Sequence, residues 1–383
     1  MSINIAIAID ELDIGGAQHV VYLLAKHLDK NRFVVTIICT DGRREQSHLE
    51  QQMLQECDIN RYKIIFLKNR VYIKNRNPIT IFRKCINKIH RIISDIARIR
   101  ELYRILNKLQ PDIIHAHQHG IWAAYWAIVH NVQVITTVHT TPNVTFPCET
   151  EKFALHLSLF FHRNVFVAIS AYNTALIKSF WHLNEAYVRT INNGIEITQY
   201  YQELHDEFAF INVSRQDKNK NQALILRAFA RLYRENSAIS MKIYLVGAGE
   251  CHTALKQQSC ALNIPVIFTG YIPSTIEYLS ISDVYISSSH REGLPLSVLE
   301  AMASRLPIIA TDVGGIRDLA KKNGILIADD DEDGLYQAMK LLKNNPDMRH
   351  KMGQKSYEMV QAYSAKNMAA QYGALYEELA LHS

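Results

Sequence analysis

The 383 residues are too many for one hydrophobic core, so two domains are expected. With 48% hydrophobic and 21% charged residues the composition is that of an ordinary soluble globular protein. No apolar run is long enough to span a bilayer as a helix.

The net charge of +5 conceals an uneven distribution. Between Arg61 and Lys108, fourteen Lys and Arg stand against Asp95 and Glu101, so this segment carries +12 and the remainder −7. Within it Phe82, Cys85, Ile86, Ile89, Ile92, Ile93, Ile96 and Ile99 recur at three- and four-residue steps, the pattern of an amphipathic helix with a basic face. That face is either simply solvated or docks on anionic lipid headgroups. No nucleic-acid motif accompanies the charge, and nucleic acid is not an expected partner. The six cysteines (Cys39, Cys57, Cys85, Cys148, Cys251, Cys260) lack C-x-x-C spacing. They are expected to be reduced and buried, in the cytoplasm.

In chain order, Asn4–Ile9 has no basic stretch before it and reads as a first strand rather than a signal peptide. Strand-like runs continue at Val34–Thr40, Ile64–Leu67, Asp112–His115, Val132–His139 and Val165–Ile169. A second series covers Phe208–Ser214, Met241–Val246, Val266–Thr269, Asp283–Ser288, Pro307–Thr311 and Gly324–Ile327. Helical patterns fill most of the gaps, which is how parallel sheets built from βαβ units read. The polar stretch Ile197–Glu207 is the expected hinge. Two doubly wound domains facing across a cleft follow, with chemistry in the loops after each strand. An amphipathic helix begins after Ser364 and closes the chain.

The first such loop holds Gly15-Gly16 at a helix start, where backbone can approach a phosphate, or where a tight turn simply needs glycine. His115, His117 and His119 alternate along a strand, and His139 ends the next. Without a carboxylate or cysteine partner nearby they are not read as a metal site. His139 has the best claim to a cleft position. In the second half Ser214-Arg215 ends a strand and Lys220 follows, two cations able to neutralise a diphosphate. Gly247-Ala248-Gly249 lacks the third glycine of a dinucleotide fingerprint, which argues against a nicotinamide oxidoreductase. The loop at Gly270–Ile272 can offer backbone groups to a flat base.

The stretch Arg291–Ala303, REGLPLSVLEAMA, organises the rest. It turns off a strand through Glu292 and Gly293 into a helix whose first amides and dipole favour an anion. Glu292 and Glu300 flank that site, and carboxylates accept hydrogen bonds from hydroxyls. A ligand with phosphates between hydroxyl-rich rings, such as a nucleotide-sugar, fits. The alternative is a capping box of Ser297 and Glu300.

Taken together, Gly15-Gly16, His117, His139, Ser214-Arg215, Lys220, the glycines at 247–249, Gly270 and the Glu292–Glu300 pair resemble the retaining glycosyltransferases of family 4 and their E-x7-E motif. The resemblance covers nearly the whole chain and implies the GT-B architecture. Residues 1–200, with a crossover helix 364–383, would form the acceptor-side domain, and 208–363 the nucleotide-sugar domain. It implies that Arg215 and Lys220 bind the diphosphate, and that Glu292 contacts the transferred sugar. Gly293, Leu294, Leu296 and Ser297 would offer backbone amides. Glu300 would hold the ribose and Gly270–Ile272 the base, while Gly15 and Gly16 approach the phosphates and His139 sits near the anomeric carbon. No cofactor is implied, because the donor is a substrate and the reaction is metal-independent. The expected partners are a nucleotide-sugar, a UDP-sugar before GDP-mannose, and a glycan or lipid-linked acceptor. A non-catalytic nucleotide-sugar-binding subunit of the same fold is the alternative. Ser214, Gln216 and Leu294-Pro295 depart from the family's usual residues, and Pro295 removes one possible amide contact.

Overall fold

The computed structural model describes residues 2–13, 15–67, 96–117, 122–139, 149–161, 163–197, 207–235 and 240–381, with backbone alone for 149–154. Most of the basic segment (68–95), Gln118 and His119, Thr140-Thr141-Pro142, Cys148 and the expected hinge from 198 to 206 lie outside the described residues.

The strands are β1 Ile3–Ile9, β2 Phe33–Cys39, β3 Tyr62–Phe66, β4 Ile113–His117, β5 Gln133–Val138, β6 Asn164–Ala168 and β7 Val188–Thr190 in the first half. The second half contributes β8 Phe208–Val213, β9 Met241–Val246, β10 Val266–Gly270, β11 Val284–Ser287, β12 Ile308–Thr311 and β13 Gly324–Ile327. They form a seven-stranded sheet in the order β3-β2-β1-β4-β5-β6-β7 and a six-stranded sheet in the order β10-β9-β8-β11-β12-β13. All pairs between these strands are parallel. Parallel strands are covered by helices on both faces, and so read as unbroken apolar runs. In β1 the last five residues, Ile5–Ile9, are all buried.

Packing divides the chain into two compact units. One comprises Met1–Ile169, Asn173–Ile191 and Met368–Ser383; the other comprises Ser170–Tyr172 and Asn192–Asn367. The division falls at Ile191, ahead of the expected boundary at 200, because Ile195 is held by the second unit. Its amide donates to the Tyr363 carbonyl at 2.9 Å, and its carbonyl accepts from Ala365 at 2.8 Å. Ser364 caps the helix Ala365–Ala380 by accepting from the Asn367 amide at 3.2 Å. From Met368 onward that helix packs in the first unit, where Tyr372 and Tyr376 are fully buried.

One expectation is corrected. The described cysteines carry no disulfide, yet only Cys39 is buried; Cys57 and Cys251 are half-buried and Cys260 is exposed. Cys260 lies near the end of the helix His252–Leu262, most of whose residues face solvent. No helix among the described residues is long and apolar enough to cross a membrane.

Candidate functional site

In each sheet the strand order reverses beside the unit's first strand, so the loops leaving two adjacent strands diverge and open a crevice at their carboxyl ends. In the second unit those strands are β8 and β11, and their loops carry Arg215–Lys220 and Glu292–Pro295. In the first unit they are β1 and β4, followed by Gly15-Gly16 and led into by His117.

The two loops of the second unit are stitched together. The Ser288 hydroxyl donates to the Lys220 carbonyl at 2.8 Å, the His290 amide to the Asn219 carbonyl at 2.8 Å, and the Asn219 side-chain amide to the Arg291 carbonyl at 3.0 Å. This backbone stitching sets the Lys220 ammonium 2.5 Å from Glu292 Oε1, with the two side chains only 18% and 10% exposed. Asp217 completes the loop. One of its oxygens accepts from the Lys220 amide at 3.1 Å, and the other pairs with Arg215 at 3.1 Å. The Arg215 side chain is 70% exposed, so its pair with Asp217 is worth little and leaves the guanidinium free to turn to a ligand.

The acidic loop rests on a glycine floor. Gly314 has φ +58°, a conformation that side chains other than glycine rarely adopt, and a Cβ there would overlap the Glu292 carbonyl oxygen. The Gly315 amide donates to the Gly293 carbonyl at 3.0 Å, and the buried Asn193 side chain donates to the Leu294 carbonyl at 3.1 Å. Gly293 and Leu294 are thus fixed by their carbonyls.

The helix Leu296–Ala303 starts after Pro295, which makes no side-chain cap. The capping box of Ser297 and Glu300 does not form. Ser297 Oγ instead accepts from the buried Tyr285 hydroxyl at 2.9 Å, and Glu300 Oε2 accepts from Thr275 at 3.0 Å. The first-turn amides of Leu296, Ser297 and Val298 have no carbonyl one turn back within the helix and can meet an anion. Burial pushes the Glu300 carboxyl up to about 7, with the Thr275 hydrogen bond pulling the other way. Thr275 ends the loop that contains Ile272 and follows Gly270, so the expected base loop and ribose carboxylate are joined directly.

The glycines at 247–249 serve backbone packing. A Cβ on Gly247 would overlap the Ser214 carbonyl oxygen, and one on Gly249 the Gln216 carbonyl oxygen. Their absence lets the loop after β9 lie on the loop after β8, where the Gln216 amide donates to the Ala248 carbonyl at 2.9 Å. The departures Ser214 and Gln216 belong to this packing. Gln216 is buried and bridges the Gly247 carbonyl (2.8 Å) and His252 (2.6 Å), while Ser214 Oγ joins Asn212 and Gln222, each at 2.7 Å.

In the first unit, Gly15 is the extended N-cap of the helix Gly16–His27 and Gly16 its exposed first residue. His115 and His117 share one face of β4 and are fully buried; His139 follows β5 and is 9% exposed. His115 is held at both nitrogens, by the Tyr376 hydroxyl and the Thr137 hydroxyl, each at 2.7 Å. His117 Nδ1 lies 2.8 Å from His139 Nε2. Burial lowers the His139 imidazole to about 4 and His115 to about 3, with the neighbouring His139 adding to the latter; His117 is held well below the ordinary value, first by burial and then by both neighbours. All three are neutral near pH 7.

Arg215, Lys220, Glu292, Gly293, Leu294, Leu296, Ser297, Glu300, Gly270 and Ile272 therefore belong to the second unit, and Gly15, Gly16 and His139 to the first. Sequence reasoning passed over Asp217, Asn193, Thr275, Tyr285 and Gly314. Asp217 was visible as the one carboxylate between two cations, and Gly314-Gly315 as a second diglycine after a strand. Tyr285 and Thr275 gave no sequence signal, since each acts on a residue distant in the chain.

Residues 14–199 match the family model Glycosyltransferase Family 4, and residues 196–359 match Glycosyl transferases group 1. The N-acetyl-alpha-D-glucosaminyl L-malate synthase of Bacillus anthracis is 26% identical over 74% of this chain and 79% of its own. The UDP-Gal:alpha-D-GlcNAc-diphosphoundecaprenol alpha-1,3-galactosyltransferase of Escherichia coli is 26% identical over 65% and 70%. Anabaena HepE, solved in complex with UDP and glucose, shares the fold with a TM-score of 0.78 at 16% identity, over 98% of this chain and 99% of that one. The chain is a glycosyltransferase of the group 1, family 4-like kind, built as two Rossmann-like domains in the GT-B fold.

Proposed function

We propose that the enzyme transfers a sugar from a UDP-sugar to a glycan or lipid-linked acceptor, with retention of anomeric configuration, in the assembly of a cell-surface glycan. The observation that carries this reading is the Lys220–Glu292 pair beside Arg215, at the start of a helix that bears the half-buried Glu300. Departure of a nucleoside diphosphate puts negative charge on the β-phosphate and positive character on the sugar. Preorganised cations and amides at that phosphate are then the main catalytic lever. Arg215 and Lys220 are assigned to the diphosphate, together with the amides of Gly293, Leu294, Leu296 and Ser297. Glu292 is assigned to sugar hydroxyls, Glu300 to the ribose, and the loop at Gly270 and Ile272 to the base. In the first unit His139 is assigned to the transferred sugar and the Gly15-Gly16 turn to the phosphates, the roles that the family resemblance implies. The two cations supply the neutralisation a divalent ion would otherwise give, so EDTA is expected to leave turnover unchanged.

The names of the relatives support a UDP-linked donor and a diphosphoundecaprenol-type acceptor. Incubation with a panel of UDP- and GDP-sugars, followed by nucleoside diphosphate release and proton NMR of the product anomer, is the test. Release of GDP from GDP-mannose alone would replace the donor assignment, an inverted anomer would end the retaining mechanism, and release from no donor would favour a binding subunit.

A separate proposal places the basic segment 61–108 on anionic membrane. Among its described residues Arg100, Arg104 and Lys108 are exposed at four-residue steps, forming one cationic ridge. Charge reversal of Arg83, Lys84, Lys88 and Arg91 is expected to abolish sedimentation with anionic liposomes; unchanged sedimentation would discard the membrane contact.

A further inference from the structure

The buried polar groups behind His139 are more elaborate than packing requires. The ladder aligns His117 of β4 with Thr137 of β5, and His139 comes two residues later on the same face. His117 and His139 stack at 5.1 Å between ring centroids with an interplanar angle of 25°, and share the 2.8 Å contact between Nδ1 and Nε2. On its other side His117 packs 4.2 Å from the ring of His115. His115 is clamped in turn by Tyr376 and Thr137, and Thr137 lies 3.0 Å from the Tyr372 hydroxyl. The C-terminal helix thus backs a row of three imidazoles.

Among the described residues, His117 Nε2 is buried and meets no hydrogen-bond partner. A neutral imidazole carries one proton, on Nδ1 or Nε2. A buried N–H left without an acceptor is rarer than a buried acceptor left without a donor. The proton of His117 therefore belongs on Nδ1, where it has an acceptor, and Nε2 is left as a bare lone pair. His117 Nδ1–H then donates to His139 Nε2, and His139 must carry its own proton on Nδ1.

We propose that His117 is a positioning residue that fixes His139 as the Nδ1–H tautomer and holds its ring plane, so that His139 meets the sugar as a hydrogen-bond donor. This rests on the assignment of His139 to the sugar made above. The tautomer itself does not depend on that assignment. No proton is transferred, because both rings remain neutral; His139 presents a fixed N–H to an oxygen of the ligand.

The test uses the full chain labelled with 15N-histidine, and the His139 resonances are identified by their loss in His139→Ala. Long-range proton–nitrogen correlation is expected to show His139 protonated at Nδ1 and bare at Nε2. His117→Phe keeps an aromatic ring but removes the donor, and His139 should then move to a mixture of tautomers. His117→Asn, whose side-chain amide can stand where Nδ1–H stood, should restore the wild-type pattern. In release of UDP from UDP-N-acetylglucosamine, UDP-galactose and UDP-glucose, His117→Phe is expected to lower kcat by at least about tenfold with KM little changed. His117→Asn should recover most of that loss. A wild-type spectrum with His139 protonated at Nε2 overturns the inference without any variant, whether or not His117→Phe folds. An unaltered His139 spectrum in folded His117→Phe also overturns it. If His139→Ala leaves UDP release intact while the tautomer is as expected, the assignment of His139 to the sugar fails and the control of its tautomer by His117 stands.

Discussion

The strand ends of the two units are built from opposite materials. At the switch point of the first unit the polar groups are neutral and sealed: His115, His117 and Thr137 are fully buried, and each is tied to neighbours by neutral hydrogen bonds. At the switch point of the second unit they are ionic and partly open, with Lys220, Glu292 and Arg215 held by loops that cross-link through backbone carbonyls. Neutral hydrogen bonds in a dry interior fix direction and shape, and are insensitive to salt. Charges at a half-open rim attract a charged group and can exchange partners when it arrives. The first arrangement suits orientation of an uncharged ring, the second capture of a diphosphate.

The sharpest way to break the comparison is to remove charge from the second unit. Lys220→Ala is expected to lower UDP release by roughly 10²–10³-fold, the scale of losing one preorganised group at a developing negative charge. The melting temperature is a necessary control, because Glu292 is left only 10% exposed without its cation. Loss of less than about tenfold in a folded variant would show that the amides of the helix start dominate instead.

Next in size is Gly314→Ala. Its φ of +58° and the overlap with the Glu292 carbonyl should cost roughly 1–3 kcal/mol and displace the acidic loop. Urea unfolding together with UDP affinity reads both effects. Unchanged affinity would mean that the loop tolerates the shift.

A pH series separates the regions more finely. Glu300 sits near 7, raised from 4.5 by burial, and in its proposed contact with ribose hydroxyls the charged form would be the better acceptor. UDP affinity is therefore expected to be full above about pH 7 and to be lost as pH falls through that value, by about tenfold between pH 8 and pH 6. For the apo fold the sign is opposite, since a raised carboxyl favours the folded state most at low pH. Glu300→Gln should flatten the calorimetric affinity profile. The histidines of the first unit, already neutral well below this window, contribute no slope there.

The smallest effect belongs to the neutral network. Tyr376→Phe removes the hydroxyl from His115 and should cost about 1–2 kcal/mol, roughly 2–4 °C in melting temperature. The loss should be the same at low and high salt. A strongly salt-dependent loss would contradict the neutral character of this region.

The legibility of the site in the sequence followed the distance over which each residue acts. Arg215, Lys220 and Glu292 lie in loops after strands and Glu300 in the helix that follows, so the strand–loop–helix order, together with the family resemblance, was enough to nominate them. The ionic contact between Lys220 and Glu292 spans 72 positions and exists only because β8 and β11 are neighbours in the sheet. Ser297 and Glu300 have the spacing of a capping box, yet Tyr285 and Thr275 claim both side chains. Local spacing cannot reveal a competitor that arrives from outside the helix.

The succession of β-branched runs and helical patterns, with the loop glycines, being properties of short segments, was enough by itself to determine two parallel sheets with their functional loops at the carboxyl ends. Tertiary structure alone decided which groups became partners: the stitching of the β8 and β11 loops, the glycine floor under Glu292, and the row of imidazoles closed by Tyr376. Each of these depends on strand order and on burial, and both are settled only when segments distant along the chain pack together and exclude water.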